Sequence, residues 1–155
     1  MRRTKPERRE IEPDLRYNNR NVQVLISHVL KKGKKSLATS LVYDALDIIE
    51  DKTKKNPVEV LETAIKNVGP VMEVRPRRVG GATYQVPMEV DENRKLTLAI
   101  RWILNSVRGR GGKSFSDKLA AELMEAAENQ GAAIRKKEET HKMAEANRAF
   151  SHFRF

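Results

Sequence analysis

The glycine-rich segment 108–113 is followed by a serine, and together they end like a phosphate-binding loop. Gly112-Lys113-Ser114 supplies a lysine and a hydroxyl after a glycine, as the loop of nucleoside-triphosphatases does. That motif also needs a glycine five residues earlier, where this chain has Val107, and a preceding strand, where a helix is predicted. Gly33-Lys34-Lys35-Ser36 fails in the same way, because His28 occupies the position of the first glycine. The sequence therefore predicts no nucleotide-hydrolysing site.

The other residue types that support catalysis show no productive spacing. His28, His141 and His152 lack the spacing of metal ligands, and the chain contains no cysteine. The acids fall mostly on the exposed faces of predicted helices and suggest no general acid–base pair. We therefore expect no enzymatic activity, no metal, no cofactor and no small-molecule substrate.

A run of arginines beside a glycine pair points to a more specific chemistry. Arg75, Arg77 and Arg78 precede Gly80-Gly81, and the planar guanidinium group suits phosphates and base edges. Tyr84 follows the glycines and leaves two interpretations open. Its ring suits stacking on a nucleic-acid base, and it equally suits packing at the root of its own strand.

The segment 108–113 also suits nucleic acid. Arg108, Arg110 and Lys113 alternate with glycines, which let a backbone approach a phosphate closely. A flexible, solvated loop is the competing interpretation, and the residue types alone leave both open.

The net charge favours a polyanionic partner. Among 155 residues, 31 Lys and Arg face 21 Asp and Glu, a net charge of +10. Residues 1–35 hold eleven basic residues against four acids, and residues 75–113 hold nine against three. Two such blocks predict that the protein contacts phosphates at two separate places. No apolar run approaches the ~18 residues of a membrane span, and the N-terminus has no hydrophobic signal region, so we expect a cytoplasmic protein without a membrane partner.

The elements that position these groups are predicted to be mainly α-helical. Residues 1–18 have no periodicity and predict a basic extended arm, whereas residues 19–155 predict a single helical domain. Apolar residues at helical spacing predict six helices, with stripes over 22–30, 38–49, 61–68, 96–107 and 115–127 and a weak one (Ile134, His141, Ala144) within roughly 133–149. The expected caps at the helix starts are Ser36, Asn56, Asp91 or Asn93, and Ser114 or Ser116.

A β-hairpin is predicted over residues 71–90, where the hydrophobic period changes from about 3.6 to 2. Gly80-Gly81 is a two-residue turn signal, and Pro76 and Pro87 cannot donate to a strand ladder, so neither strand fits inside a large sheet. We expect a ribbon that projects from the helical domain. The apolar residues expected to form one side of its root are Met72, Val74, Val86, Met88 and Val90.

Several ordered motifs carry a resemblance to a known family. Arg77-Arg78-Val79-Gly80-Gly81-Ala82-Thr83-Tyr84-Gln85-Val86-Pro87 resembles the hairpin signature of small-subunit ribosomal protein seven, bacterial type. Gly33-Lys34-Lys35-Ser36 matches the motif that follows the first helix of that family. Segments 99–103, 119–123 and 141–150 also resemble it. The similarity runs from about Pro13 to the end of the chain.

The resemblance implies a function that spacing alone does not. The family is a helical domain with an extended β-hairpin that binds the 3′ major domain of 16S ribosomal RNA directly and early. It organises the head of the small subunit, near the decoding centre, the exit-site tRNA and the mRNA. Its neighbours there are ribosomal proteins nine and eleven.

The family's contacts can be carried over to positions of this chain. The RNA-binding positions implied are Arg2, Arg3, Arg8, Arg9, Lys34, Lys35, Arg75, Arg77, Arg78, Arg108, Arg110 and Lys113. The hairpin tip, with Gly80, Gly81, Thr83 and Tyr84, is expected to approach tRNA.

A DNA-binding architectural protein with basic β-arms is the alternative from the residues themselves. Such proteins usually carry an apolar wedge at the arm tip, which kinks the duplex. Here the tip is Val79-Gly80-Gly81-Ala82, with one modest candidate wedge. Comparing binding to folded ribosomal RNA with binding to duplex DNA at matched salt distinguishes the two.

Overall fold

The computed structural model describes residues 3–112 and 114–154. Two predicted RNA-binding positions, Arg2 and Lys113, lie outside them. The α-helices are α1 (Arg20–Val29), α2 (Lys35–Thr53), α3 (Pro57–Val68), α4 (Glu92–Gly109), α5 (Phe115–Ala127) and α6 (Ala132–Ala146), and a 3₁₀ helix follows at Arg148–Phe153. Strands β1 (Met72–Val79) and β2 (Ala82–Glu89) form a two-stranded antiparallel sheet. The predicted fold class, mainly α with one β-hairpin, is confirmed.

Local capping chemistry explains most helix starts. The Asn56 side chain accepts from the Val58 N–H and Pro57 opens α3, while Asp91 accepts from the Arg94 N–H to cap α4. Ser114 caps α5 by accepting from the Asp117 N–H. The prediction of Ser36 as a cap is wrong, because α2 begins one residue earlier and Lys34 occupies the cap position.

The core lies where the apolar stripes of all six helices meet. Leu46 of α2, Leu61 of α3, Ile100 of α4 and Leu123 of α5 have essentially no exposed surface. Helix α5 packs against α2, α3 and α4, which makes it the central helix of the body. Each fully buried side chain of this size stabilises the fold by about 1.5–3 kcal/mol through removal of apolar surface from water.

Two segments differ from the sequence expectation. Helix α6 ends at Ala146, not near residue 149, and a 3₁₀ helix follows it. Within residues 14–18, assigned to the arm, Asp14 is 3% exposed and Tyr17 packs against the core. Neither segment carries an apolar stripe at helical spacing, so hydrophobic periodicity gave no signal for these contacts.

Candidate nucleic-acid interface

The basic arm is exposed from residue 3 to residue 13. Residues 5–13 form no helix or strand, and Arg3, Arg8 and Arg9 lie on the surface. A chain segment without apolar packing presents its charges to solvent and to any approaching polyanion.

Asp14 fixes the point where the arm joins the body. Its carboxylate accepts from the backbone N–H groups of Tyr17 and Asn19, both at 2.8 Å, and from the Tyr43 hydroxyl at 3.0 Å. Asn19 then caps α1 by accepting from the Asn21 N–H. The arm therefore leaves the body from a defined position. Sequence reasoning missed Asp14, although an acid five residues before an Asn cap was the available signal.

Residues from the two basic blocks meet at one concavity of about 380 Å³ beside the α1–α2 loop. Lys34 comes from the first block and Arg108 from the second. The floor is apolar and includes Leu41 and Phe115. The remaining lining residues are Val29, Lys31, Lys32, Leu37 and Ala38. Lys35, the first residue of α2, is exposed next to it.

Arg108 belongs to a helix, contrary to its predicted place in the glycine-rich loop. Helix α4 continues through Gly109, and the Arg110 N–H closes its last turn onto the carbonyls of Ser106 and Val107. The hydrogen bonds of this last helical turn therefore fix the backbone from which the Arg108 side chain extends.

Arg110 turns inward to an acidic pair on α5. Its Nε donates to Glu122 at 3.0 Å, and its terminal nitrogen lies 2.9 Å from the same carboxylate and also bonds Glu125. Burial alone would lower the pKa of Arg110, but the hydrogen bonds to Glu125 and Glu122 outweigh it and raise the pKa above its ordinary value. This guanidinium therefore remains charged and holds the loop to α5.

The ribbon presents different residues on its two faces. The register pairs Arg75 with Val86 and Arg77 with Tyr84, which places these four residues on one face. On the opposite face Arg78 pairs with Thr83, and both are exposed.

The predicted single apolar side of the ribbon root is wrong. The register pairs Val74 with Pro87 and Glu73 with Met88, so the apolar residues lie on both faces. Val86 and Pro87 are buried side by side on opposite faces. The ribbon root is therefore packed on both faces. Strict alternation of apolar and polar residues would have made only one face apolar.

Glu73 is buried at the foot of the ribbon, with 7% of its surface exposed. Its carboxylate accepts from Arg75 Nε at 2.7 Å and from Arg94 of α4 at 3.2 Å. Arg75 is thus ion-paired at the edge of the body, whereas Arg78 projects further out.

Gly80 and Gly81 form the tip, with φ of +57° and +86°. A two-residue turn of this handedness requires positive φ at both positions, and a Cβ at either would meet nothing. Both glycines are exposed, as is Thr83.

Tyr84 does not project freely. Its ring stacks on Phe153 at 4.9 Å and contacts Phe150 at 5.3 Å between centroids. Arg154 adds a hydrogen bond from Nε to the Pro87 carbonyl at 2.7 Å. Of the two interpretations of Tyr84, the structure supports packing, here against the 3₁₀ helix at Arg148–Phe153.

His141 connects α6 to the start of the ribbon by accepting from the Val71 N–H at 3.1 Å. Burial, with a further contribution from nearby Lys137, lowers the pKa of His141 below its ordinary value. The described residues contain no group of three His, Cys, Asp or Glu suited to a metal ion. Nor does any helix among them have the length and apolarity to span a membrane.

Comparison with known proteins agrees with this architecture. The profile of the family described as ribosomal protein S7p/S5e matches residues 1–148. A small ribosomal subunit protein uS7 of Pelotomaculum thermopropionicum is 60% identical over 148 residues, covering 96% of this chain and 95% of the relative. Proteins of the same description from Thermotoga neapolitana and Thermomicrobium roseum are 56% and 54% identical and cover 100% and 99% of both chains.

A helical body that carries a basic arm, a basic ribbon and a cation-rimmed concavity is typical of a nucleic-acid-binding protein. The chain belongs to the ribosomal protein S7p/S5e family. The resemblance carried by the hairpin and Gly33-Lys34-Lys35-Ser36 motifs is confirmed.

Proposed function

We propose that this protein is a structural constituent of the small ribosomal subunit in the cytoplasm. It binds the 3′ major domain of 16S ribosomal RNA directly and nucleates assembly of the subunit head. The names of the relatives support the first part, because each is a small-subunit ribosomal protein. The observation that carries the second is the meeting of Lys34 and Arg108, from two distant basic blocks, at one concave surface.

The mechanism is neutralisation of phosphates by charges held at fixed separations. The arm contributes Arg2, Arg3, Arg8 and Arg9, and the surface at and beside the concavity supplies Lys34, Lys35 and Arg108. The ribbon supplies Arg75, Arg77 and Arg78, with Arg110 behind the loop. Lys113, outside the described residues, is included from its place in the sequence. Folded RNA suits this layout, since phosphate and shape contacts dominate recognition of RNA helices. No step requires a cofactor, and the protein acts as a scaffold, not as an enzyme.

The ribbon tip lies near the decoding centre, the exit-site tRNA and the mRNA in this proposal. Exposed Gly80, Gly81 and Thr83 let a backbone approach closely, while Tyr84 gives the tip a firm base through its contact with Phe153. Ribosomal proteins nine and eleven of the small subunit are the proposed protein neighbours.

A salt titration of binding tests the proposal. If about eight phosphates are neutralised, the logarithm of the association constant for 3′-domain RNA falls against log salt with a slope of about −6 to −7. A slope near −2 would contradict the proposal. Duplex DNA of equal length at matched salt is the control, and equal or tighter binding to DNA would favour an architectural DNA-binding protein instead.

A further inference from the structure

Two buried carboxylates lie at the feet of the two basic elements in the second block. Glu122 has no exposed surface and Glu73 has 7%. Each bonds an arginine of the basic element and also a group of the helical body. Burying a carboxylate is costly unless it is paired and hydrogen-bonded, and both acids have such partners, which offset that cost.

Glu122 joins the 108–113 segment to two helices. One carboxylate oxygen accepts from Arg110, at the end of α4, and the other accepts from the Ala133 N–H at 3.0 Å, in the first turn of α6. Gly131, with φ of +95°, leaves room for this arrangement, because a Cβ there would lie 3.2 Å from Glu122 Oε1. The position of Arg110 therefore depends on three elements meeting at one carboxylate.

Glu73 plays the same part at the ribbon. One oxygen accepts from Arg75 on its own strand, and the other accepts from Arg94 on α4. The ribbon root is thereby tied to the body by a charged contact as well as by apolar packing. In each element one arginine makes this tie, although the Arg75 side chain is still 48% exposed and that of Arg110 29%. The basic residues Arg78 and Arg108 are exposed as well.

We infer that Glu73 and Glu122 are positioning residues for RNA binding, acting through Arg75 and Arg110. These two arginines anchor the ribbon and the loop, and the outward-facing cations supply the phosphate contacts. This inference rests on the proposed function. It assigns Arg75 and Arg110 an anchoring role in place of the role of primary phosphate contacts.

The direction in which one substitution changes the affinity for RNA tests this inference. Glu122→Gln removes a negative charge, so electrostatic attraction alone predicts tighter RNA binding. Gln can still accept from the Ala133 N–H, but its amide group no longer provides a carboxylate for Arg110. If Glu122 is a positioning residue, RNA binding weakens although the protein becomes more basic. We expect a loss of roughly three- to tenfold at physiological salt and a salt slope shallower by about one contact.

Matched controls remove the same charge elsewhere. Glu128→Gln lies just beyond α5, and Glu89→Gln lies on the ribbon opposite Met72; both side chains are exposed. We expect RNA binding by these variants to be unchanged or slightly tighter. Glu73→Gln should behave like Glu122→Gln, with a loss confined to RNAs long enough to reach the ribbon.

The outcomes separate the inference from the proposed function. Binding by Glu122→Gln that equals or exceeds that of the unaltered protein, with the same slope, would overturn the inference alone. A shallow slope in the unaltered protein would overturn the proposed function and the inference with it. Melting followed by circular dichroism identifies a temperature at which each variant is still folded, and RNA binding is measured there. If Glu122→Gln does not fold, Glu125→Gln, whose side chain is 41% exposed, replaces it, and a smaller loss of the same sign is required.

Discussion

The arm and the ribbon both present arginines, but the protein holds them in different ways. Arg3, Arg8 and Arg9 lie on exposed backbone that forms no helix or strand. Arg75 lies on a paired strand and is ion-paired to a buried acid. The difference is one of pre-organisation: ordering the arm costs conformational entropy on binding, whereas the fold has already ordered the ribbon. Equal charges in the sequence are therefore not equal contributors to affinity.

The largest expected effect comes from a substitution in the core of the helical body. The ribbon depends on this body for its position, whereas the arm does not. Leu104 is 2% exposed in the core, so Leu104→Ala should lower the free energy of unfolding by roughly 2–5 kcal/mol through lost burial and an unfilled cavity. Urea unfolding measures this. Ile11→Ala in the arm, where the side chain is 38% exposed, is the control and should change stability by less than about 0.5 kcal/mol.

Deleting residues 1–10 should produce the opposite pattern. Five basic residues and two acids are lost, so RNA binding should weaken by about 10- to 100-fold near physiological salt and become less salt-dependent. The melting temperature should stay the same, because the deletion ends before buried Asp14. A marked fall in melting temperature would show that the arm belongs to the body.

Excising residues 76–85 and closing the gap with a short turn should leave the body folded. Stability should fall by about 1–3 kcal/mol, because the stacking of Tyr84 on Phe150 and Phe153 is lost. RNA binding should weaken only partly, since the arm and concavity remain, and reading-frame fidelity of ribosomes carrying the variant should change more.

Tyr84→Ala is the control for that excision, as it removes the stacking but keeps the basic residues. It should reproduce the stability loss and little of the fidelity change. A collapsed melting transition in the excised protein would make the ribbon part of the core, and unaltered fidelity would confine the ribbon to assembly.

The smallest expected effect is a pH dependence at the ribbon root. The pKa of His141 is lowered in the folded protein, so the unfolded chain binds the proton more readily. Its contribution to stability is therefore present above its ordinary pKa of 6.5 and is lost as the pH falls through that value towards the folded pKa. Protonation also removes the acceptor for the Val71 N–H. Melting between pH 7.5 and 5 should show this loss, and His141→Gln should reduce it; equal pH profiles would contradict it.

The sequence predicts those parts of the fold that repeat a local pattern. Helical stripes around Leu25 and Ile100 and the turn at Gly80-Gly81 are local signals, and the structure confirms the elements they indicate. The concavity that Lys34 and Arg108 both line is not a local property, because Lys34 precedes α2 and Arg108 lies near the end of α4, and these helices share no sequence pattern. Burial of Glu73 and Glu122 was equally invisible, since a sequence marks acids as surface residues until their partners are known.

The arrangement at the C-terminus makes the ribbon dependent on the order of synthesis. Arg154 reaches a carbonyl 67 positions earlier, and Phe150 and Phe153 cover Tyr84. During synthesis the ribbon therefore leaves the ribosome well before the residues that hold it. A chain truncated before Arg148 would keep its helical body and its arm, yet carry a ribbon fixed only at the root. Residues 148–154 thus complete the support of a ribbon that is synthesised before them.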